Sequence, residues 1–232
     1  MNRNFYFKNI KFSNYNFKTT LNKILKGGYL VAPSAFTLVN IYNNKQYYNA
    51  IKKADVVICD SGFFCILIKL LKKIRLKRLS GYLFLKLFLK SPYSKKYKIL
   101  CIDPNNSEKK DNLKLFYRNN LRRTKNIVSK VYNGKIIHDY SLLNNIKILK
   151  PDIILINISG GKQEVLAEFI KKNVKFKVSI LCLGAAIGFL TKNQAPINDF
   201  YDKYYLGWLI RTFHSKTFFL RVLSSLKLIR FF

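Results

Sequence analysis

Two short stretches of this 232-residue chain combine residue types that can carry out group transfer. The first is Ala54-Asp-Val-Val-Ile-Cys-Asp60-Ser61-Gly62, an apolar run that ends on a carboxylate and turns toward a helix. A carboxylate that closes a buried strand projects into the crevice beyond the sheet, where it can take a proton from an attacking hydroxyl. Aspartate also caps helices well, and on local pattern alone the cap is the favoured role for Asp60. The second stretch is Ile156-Asn-Ile-Ser-Gly160-Gly161-Lys162-Gln163-Glu164. Two glycines at a strand-to-helix turn let backbone N–H groups approach a phosphate, and the helix N-terminus favours its charge. Lys162 would add a point charge, and Gln163 or Glu164 could bond a base or a sugar hydroxyl. The pattern is neither Walker A nor Gly-x-Gly-x-x-Gly, and a tight turn with ordinary capping is the alternative.

Both stretches need a scaffold that aims strand ends at one crevice. Short Val/Ile/Leu-rich runs at 29–32, 55–59, 98–102, 126–132, 153–158 and 177–184 predict strands buried on both faces. Helical patterns at 45–53, 63–73, 107–120, 141–149 and 162–172 fall between them. Such alternation predicts an α/β fold with a Rossmann-like open, mostly parallel sheet and helices on both faces. Two stretches break the pattern. Residues 63–90 interleave apolar side chains with many lysines and arginines. Residues 204–232 contain no acid and combine Trp208, Phe213, Phe218, Phe219, Phe231 and Phe232 with Arg211, Lys216, Arg221, Lys227 and Arg230. The expected division is a core over 1–203 and a basic, amphipathic, helical appendage over 204–232. An anionic membrane surface is its favoured partner, against the alternative of a helix packed on the core with a solvated basic face.

The charge supports an anionic partner. Lys and Arg number 43 against 11 Asp and Glu, a net of +32, although Asn-, Ile- and Lys-rich composition accounts for part of that excess. A nucleic-acid role is a rival reading, but no zinc spacing, helix-turn-helix or aromatic RNA-binding strand accompanies the charge, and nucleic acid is not the expected partner. Cys59, Cys65, Cys101 and Cys182 form no Cys-x-x-Cys pair, and only His138 and His214 could join them, so buried free thiols are expected and a metal site is not. The opening residues lack an apolar h-region, and the longest nearly uncharged apolar run, 62–68, is far too short to span a bilayer. A cytoplasmic protein, peripheral on the inner face of the membrane, is the expectation.

Several motifs in order give the chain a family resemblance. Tyr47-Tyr-Asn-Ala-Ile-Lys-Lys-Ala-Asp-Val-Val-Ile-Cys-Asp60-Ser-Gly62 resembles the "al..ad....DG" segment of the WecG/TagA/CpsF family of bacterial glycosyltransferases. Arg78-Leu-Ser-Gly81 is similar to its "Rv.G", and Lys162-Gln163-Glu164 to the end of "G.PkQE". Gly184-Ala-Ala-Ile-Gly-Phe-Leu-Thr, Ala195-Pro196 and Gly207-Trp208-Leu-Ile-Arg211 resemble "GaaidFl", "RAP" and "EWlyR".

The resemblance implies an inverting transfer of a sugar, N-acetylmannosamine or a relative, from a UDP-sugar donor to a lipid-diphosphate-linked sugar acceptor in cell-surface polysaccharide synthesis. It implies Asp60 as the general base and Arg78 as a partner for a diphosphate. Gly160, Gly161, Gln163 and Glu164 would hold the nucleotide sugar, and Arg211 and Arg221 of the appendage would contact membrane and substrate phosphates. It further implies no cofactor, no metal and a tendency to form homo-oligomers. The chain departs from the family pattern at several points. Ala32 and Ser34 stand in the early strand where Thr-x-Asn is usual. Leu83 replaces an aspartate, Gly161 a proline, Asn157 and Ser159 glycines, Gln194 an arginine and Gly207 a glutamate. These substitutions keep a second reading open, that of a catalytically inactive member serving as a scaffold.

Overall fold

The structure, a computed structural model, describes residues 4–133, 137–195, 197–214 and 216–232. Pro196 and Met1 to Arg3, and the side chains of His214 and Lys216, lie outside the described residues. The chain opens with a hairpin, β1 (Phe5–Phe7) and β2 (Ile10–Phe12), then α1 (Phe17–Ile24), β3 (Gly28–Val31), α2 (Ala35–Val39), α3 (Lys45–Lys52) and β4 (Val56–Val57). There follow α4 (Gly62–Lys72), α5 (Gly81–Lys90), α6 (Pro92–Lys96), β5 (Ile99–Asp103), α7 (Asn106–Arg118), β6 (Thr124–Val128), α8 (Lys130–Asn133) and α9 (Tyr140–Leu149). The last part holds β7 (Ile153–Ile156), α10 (Lys162–Asn173), β8 (Ser179–Cys182), α11 (Ala186–Leu190), α12 (Asp199–Lys203), α13 (Gly207–His214) and α14 (Lys216–Ser225), with a closing 3-10 turn over Leu226–Phe231.

Six strands form one parallel sheet in the order β4-β3-β8-β7-β5-β6. Its central strands are buried throughout, because successive side chains enter two separate cores. Leu100, Ile102, Ile154 and Ile156 face one core with α3, α4 and α10. Ile99, Cys101, Ile153 and Leu155 face the other with α1, α5 and α7. The chain leaves β5 outward to β6 and leaves β7 in the opposite direction to β8, so the connections diverge between β5 and β7. In an open parallel sheet such a divergence opens a crevice at the carboxyl ends of the strands.

The predicted Rossmann-like α/β class holds, and several boundaries differ. The strand expected over 126–132 lies at Thr124–Val128, because its pairing with β5 ends at Asp103 opposite Val128. Ser129 then accepts the N–H of Val131 at 3.2 Å and turns the chain into α8. The strand expected over 55–59 shrinks to Val56–Val57, and Asp55 instead bonds the N–H of Tyr29 and the ammonium of Lys171. Residues 81–90, within a stretch that broke the pattern, form α5 behind the cap Ser80. All four cysteines are buried and free.

Residues 204–232 pack on the body of the molecule. Trp208 meets Phe63 of α4 edge-on at 5.7 Å, and Phe232 stacks on Phe7 at 5.1 Å. Leu228 has no exposed surface. Through these contacts α13 lies against α4 and α14 against α2, over the crevice. Among the described residues no helix is long and apolar enough to cross a membrane.

Candidate active site

A cavity of about 410 Å³ opens at the carboxyl ends of the strands and is roofed by α13 and α14. Asp60 lies on its wall, three residues past β4. The cap of α4 is Ser61, whose Oγ accepts the N–H of Phe64 at 3.2 Å. That corrects the helix-cap reading of Asp60, whose carboxylate is left for other work. Its Oδ1 accepts the N–H of Gly81 at 2.8 Å, at the first turn of α5. Glycine is needed at 81, since a Cβ there would stand 2.6 Å from the Leu183 carbonyl oxygen. Burial pushes the Asp60 carboxyl above the usual carboxylate range, against the opposing pull of Arg78, the Gly81 N–H and Arg211. A carboxylate held by one oxygen, with its affinity for protons raised, is suited to accept a proton from a bound hydroxyl.

Three arginines reach the cavity and differ in how they are held. Arg78 donates from Nε to the Asp60 carbonyl at 2.9 Å, from Nη1 to the Asp202 carbonyl at 2.5 Å and from Nη2 to Asp202 Oδ1 at 2.7 Å. Both partners of that ion pair are largely removed from water. Arg78 therefore ties the loop after β4 to α12, with much of its fork already engaged. Arg211 of α13 lies over the ring of Phe218 at 3.9 Å. Burial lowers its pKa to about 10, against the pull of Asp60 and with a push from Arg221, which leaves it cationic at neutral pH. Arg221 of α14 sits over Phe36 at 5.6 Å. Neither Arg211 nor Arg221 has a carboxylate partner among the described residues.

The loop after β7 is arranged differently from its sequence expectation. Gly161 adopts φ +92°, which explains glycine there, and its N–H is taken by Glu164 Oε2 at 2.7 Å. The N–H groups of Lys162 and Gln163 return to the Ser159 carbonyl. The expected phosphate cradle is thus largely satisfied from within. Gln163 and Glu164 are also turned inward. Gln163 Nε2 donates to Glu164 Oε1 at 2.9 Å, and Gln163 Oε1 accepts the Gly184 N–H at 3.2 Å, so the pair forms part of the cavity wall with its polar groups largely engaged. Gly160 faces the cavity with open space where a side chain would be, bounded by Thr37. Ser34 lines the cavity and caps α2 through the N–H of Thr37. Of the positions that departed from the family motifs, Ala32, Ser34, Asn157, Ser159, Gln194 and Gly207 line the cavity.

Glu164 supplies a measurable pH signature. Burial raises its carboxyl to about 7, more than its bonds from Gln163 and Gly161 lower it. The folded state thus binds a proton that the unfolded state has released between about pH 4.5 and 7, so this residue's contribution to stability falls as pH rises through that window. The expected loss is roughly 3 kcal/mol. In chemical denaturation, the stability difference between wild type and Glu164→Gln should shift by about that amount, in favour of the variant, from pH 4.5 to pH 7.5.

Sequence reading did not find Asp202 as the partner of Arg78, or the group around Asp103. The fully buried Asp103 carboxylate accepts from Asn112 at 2.6 Å and from Asn126 and Asn157 at 2.8 Å each. An aspartate closing a Val/Ile/Leu-rich strand was the only local signal for that group. Among the described residues no three His, Cys, Asp or Glu side chains gather as a metal-holding group.

Comparison with known proteins adds one match. The family model described as "Glycosyl transferase WecG/TagA/CpsF family" matches residues 5–232, nearly the whole chain. No curated protein matches.

Proposed function

The chain belongs to the WecG/TagA/CpsF family of glycosyltransferases, and on that premise we propose that it moves a hexosamine-type sugar from a UDP donor to a lipid-diphosphate-linked acceptor in cell-surface polysaccharide synthesis. The observation that carries this reading is the placement of Asp60. One of its oxygens is fixed by the Gly81 N–H, and the half-buried cation Arg211 lies close enough to act on it electrostatically. In the proposed step Asp60 takes the proton of the acceptor hydroxyl as its oxygen attacks the anomeric carbon. The bond to the diphosphate oxygen breaks on the opposite face, and the electron pair leaves with UDP. Such a single displacement inverts the anomeric centre. Arg211 and Arg221 offset the charge that develops on the leaving diphosphate, a task suited to the planar arginine fork. Arg78 acts mainly as a strut that holds Asp60 and α12 in place.

Membrane association fits the outer face of the tail. Phe213, Leu220, Leu223, Leu226 and Ile229 are exposed there beside Lys227 and Arg230. A second exposed group, Leu70, Leu71 and Ile74, lies among Lys69, Lys72, Lys73 and Arg75 at the end of α4. Apolar side chains set in a basic surrounding suit an anionic bilayer surface. The test is UDP release from a panel of UDP-sugars with a lipid-diphosphate-sugar acceptor in micelles. Release that depends on acceptor, and that is faster in anionic than in neutral micelles, is the expected result. Failure to bind UDP would overturn the proposal.

A further inference from the structure

The cavity is electrically two-ended. Its lining arginines, Arg78, Arg211 and Arg221, lie toward β4, α2 and the tail. At the opposite end, where β5 and β7 diverge, the lining residues are Pro104, Glu108, Asn157, Ser159 and Gly160, with no cation among them. The two ends are separated by the three strand spacings from β4 to β7, about 14 Å at the usual strand separation.

Asn157 is held in one orientation. A carboxylate can only accept hydrogen bonds, so the Asn157 amide must present its NH₂ to Asp103 Oδ1, as it does at 2.8 Å. Asn112 fills the other position on that oxygen and Asn126 bonds Oδ2, which blocks a reversal of Asn157. This orientation turns the amide oxygen, Oδ1, away from Asp103 and leaves it to a ligand as an acceptor, beside the second N–H of the amide. Glu108 adds a second acceptor on the first turn of α7. Its Oε1 takes a bond from Asn105 Nδ2 at 3.1 Å, and Oε2 remains. This end of the cavity offers acceptors and negative charge, which repel a phosphate and suit a ligand rich in O–H and N–H donors.

We infer that Asn157 and Glu108 form the nucleoside subsite, in which the ribose hydroxyls and the imide N–H of uracil donate to Asn157 Oδ1 and the Glu108 carboxylate. The inference rests on the UDP-donor reading and gives the donor a direction. Its nucleoside lies over the ends of β5 and β7, its diphosphate reaches Arg221 and Arg211, and its sugar comes to Asp60. Asn157 is also a position at which this chain departs from the family motif, so the subsite is a feature of this sequence.

The test is calorimetric titration of the full chain with UDP, 2′-deoxy-UDP and inorganic diphosphate. Asn157→Gly and Glu108→Gln should each weaken UDP by about 10-fold while leaving inorganic diphosphate affinity unchanged. Arg211→Ala should weaken both ligands. Removing the 2′-hydroxyl should cost the wild type affinity and cost the variant that lost its acceptor little. Glu108→Gln leaves the Asp103 network whole, so it decides the matter if Asn157→Gly fails to fold. UDP affinity unchanged in the folded variants, or a matching loss for inorganic diphosphate, would overturn the subsite while the glycosyltransferase reading stands. Wild type that binds no UDP would sink both.

Discussion

Asp60→Asn is expected to lower kcat by about 10²- to 10⁴-fold with UDP affinity retained, the usual range for removal of a general base. Asparagine keeps the acceptor oxygen that Gly81 requires, so the local hydrogen bond survives while the group that takes the proton is lost. The pH profile supplies a second handle. Because burial holds the Asp60 carboxyl above the ordinary range, kcat/KM should rise with pH along a limb that lies higher than that of a solvated aspartate. Steady-state kinetics of the two proteins, with UDP binding measured in parallel, check both points. Full activity in Asp60→Asn would remove the base, and the inactive-scaffold reading would gain if the wild type were equally silent.

Arg78→Ala is expected to cost about 3–5 kcal/mol of stability, the range for removing one partner of a buried ion pair. The reason lies in Asp202, a buried carboxylate that would lose its partner cation. For a chain of this size the expected fall in Tm is roughly 10 °C, read by calorimetry. Removing Asp202 as well should restore part of the loss, since the uncompensated charge then disappears. If Arg78 were instead a phosphate ligand with an idle fork, the single variant would keep its Tm and lose only diphosphate affinity. The pair therefore separates a structural strut from a substrate contact, two roles that sequence spacing alone leaves merged.

Those two residues mark where sequence reading reaches and where it stops. The sheet was visible because strands buried on both faces need unbroken Val, Ile and Leu, and the runs at 153–156 and 179–182 can serve little else. Asp60 was visible because it closes such a run. That Ser61 caps α4 was not, since Asp and Ser cap comparably well and only the backbone geometry chooses between them. The hairpin of β1 and β2 was missed because its turn places Lys8 at φ +49° and Asn9 at φ +59°, and a lysine there carries no turn signal. The engagement of Arg78 was invisible because its carboxylate partner comes 124 residues later. The inward bonds of Gln163 and Glu164 were hidden for a similar reason. Two polar residues on a first helical turn look solvent-facing until β8 and the Gly184 N–H close over them.

The orientation of Asn157 shows a further limit. Its amide is set by Asp103, on which three asparagines converge, Asn112 from α7, Asn126 from β6 and Asn157 itself from the end of β7. Each is ordinary in sequence, and only the parallel order of β6, β5 and β7 brings them to one carboxylate.

The measurement that bears most directly on Asp60-assisted single displacement is the anomeric configuration of the transferred sugar, read by NMR on product formed from an α-linked UDP-sugar. A β-linked product is the predicted result, because the acceptor oxygen deprotonated by Asp60 attacks the face opposite the leaving diphosphate. An α-linked product would contradict the account, since retention requires a second displacement or a same-face attack for which Asp60 is not arranged.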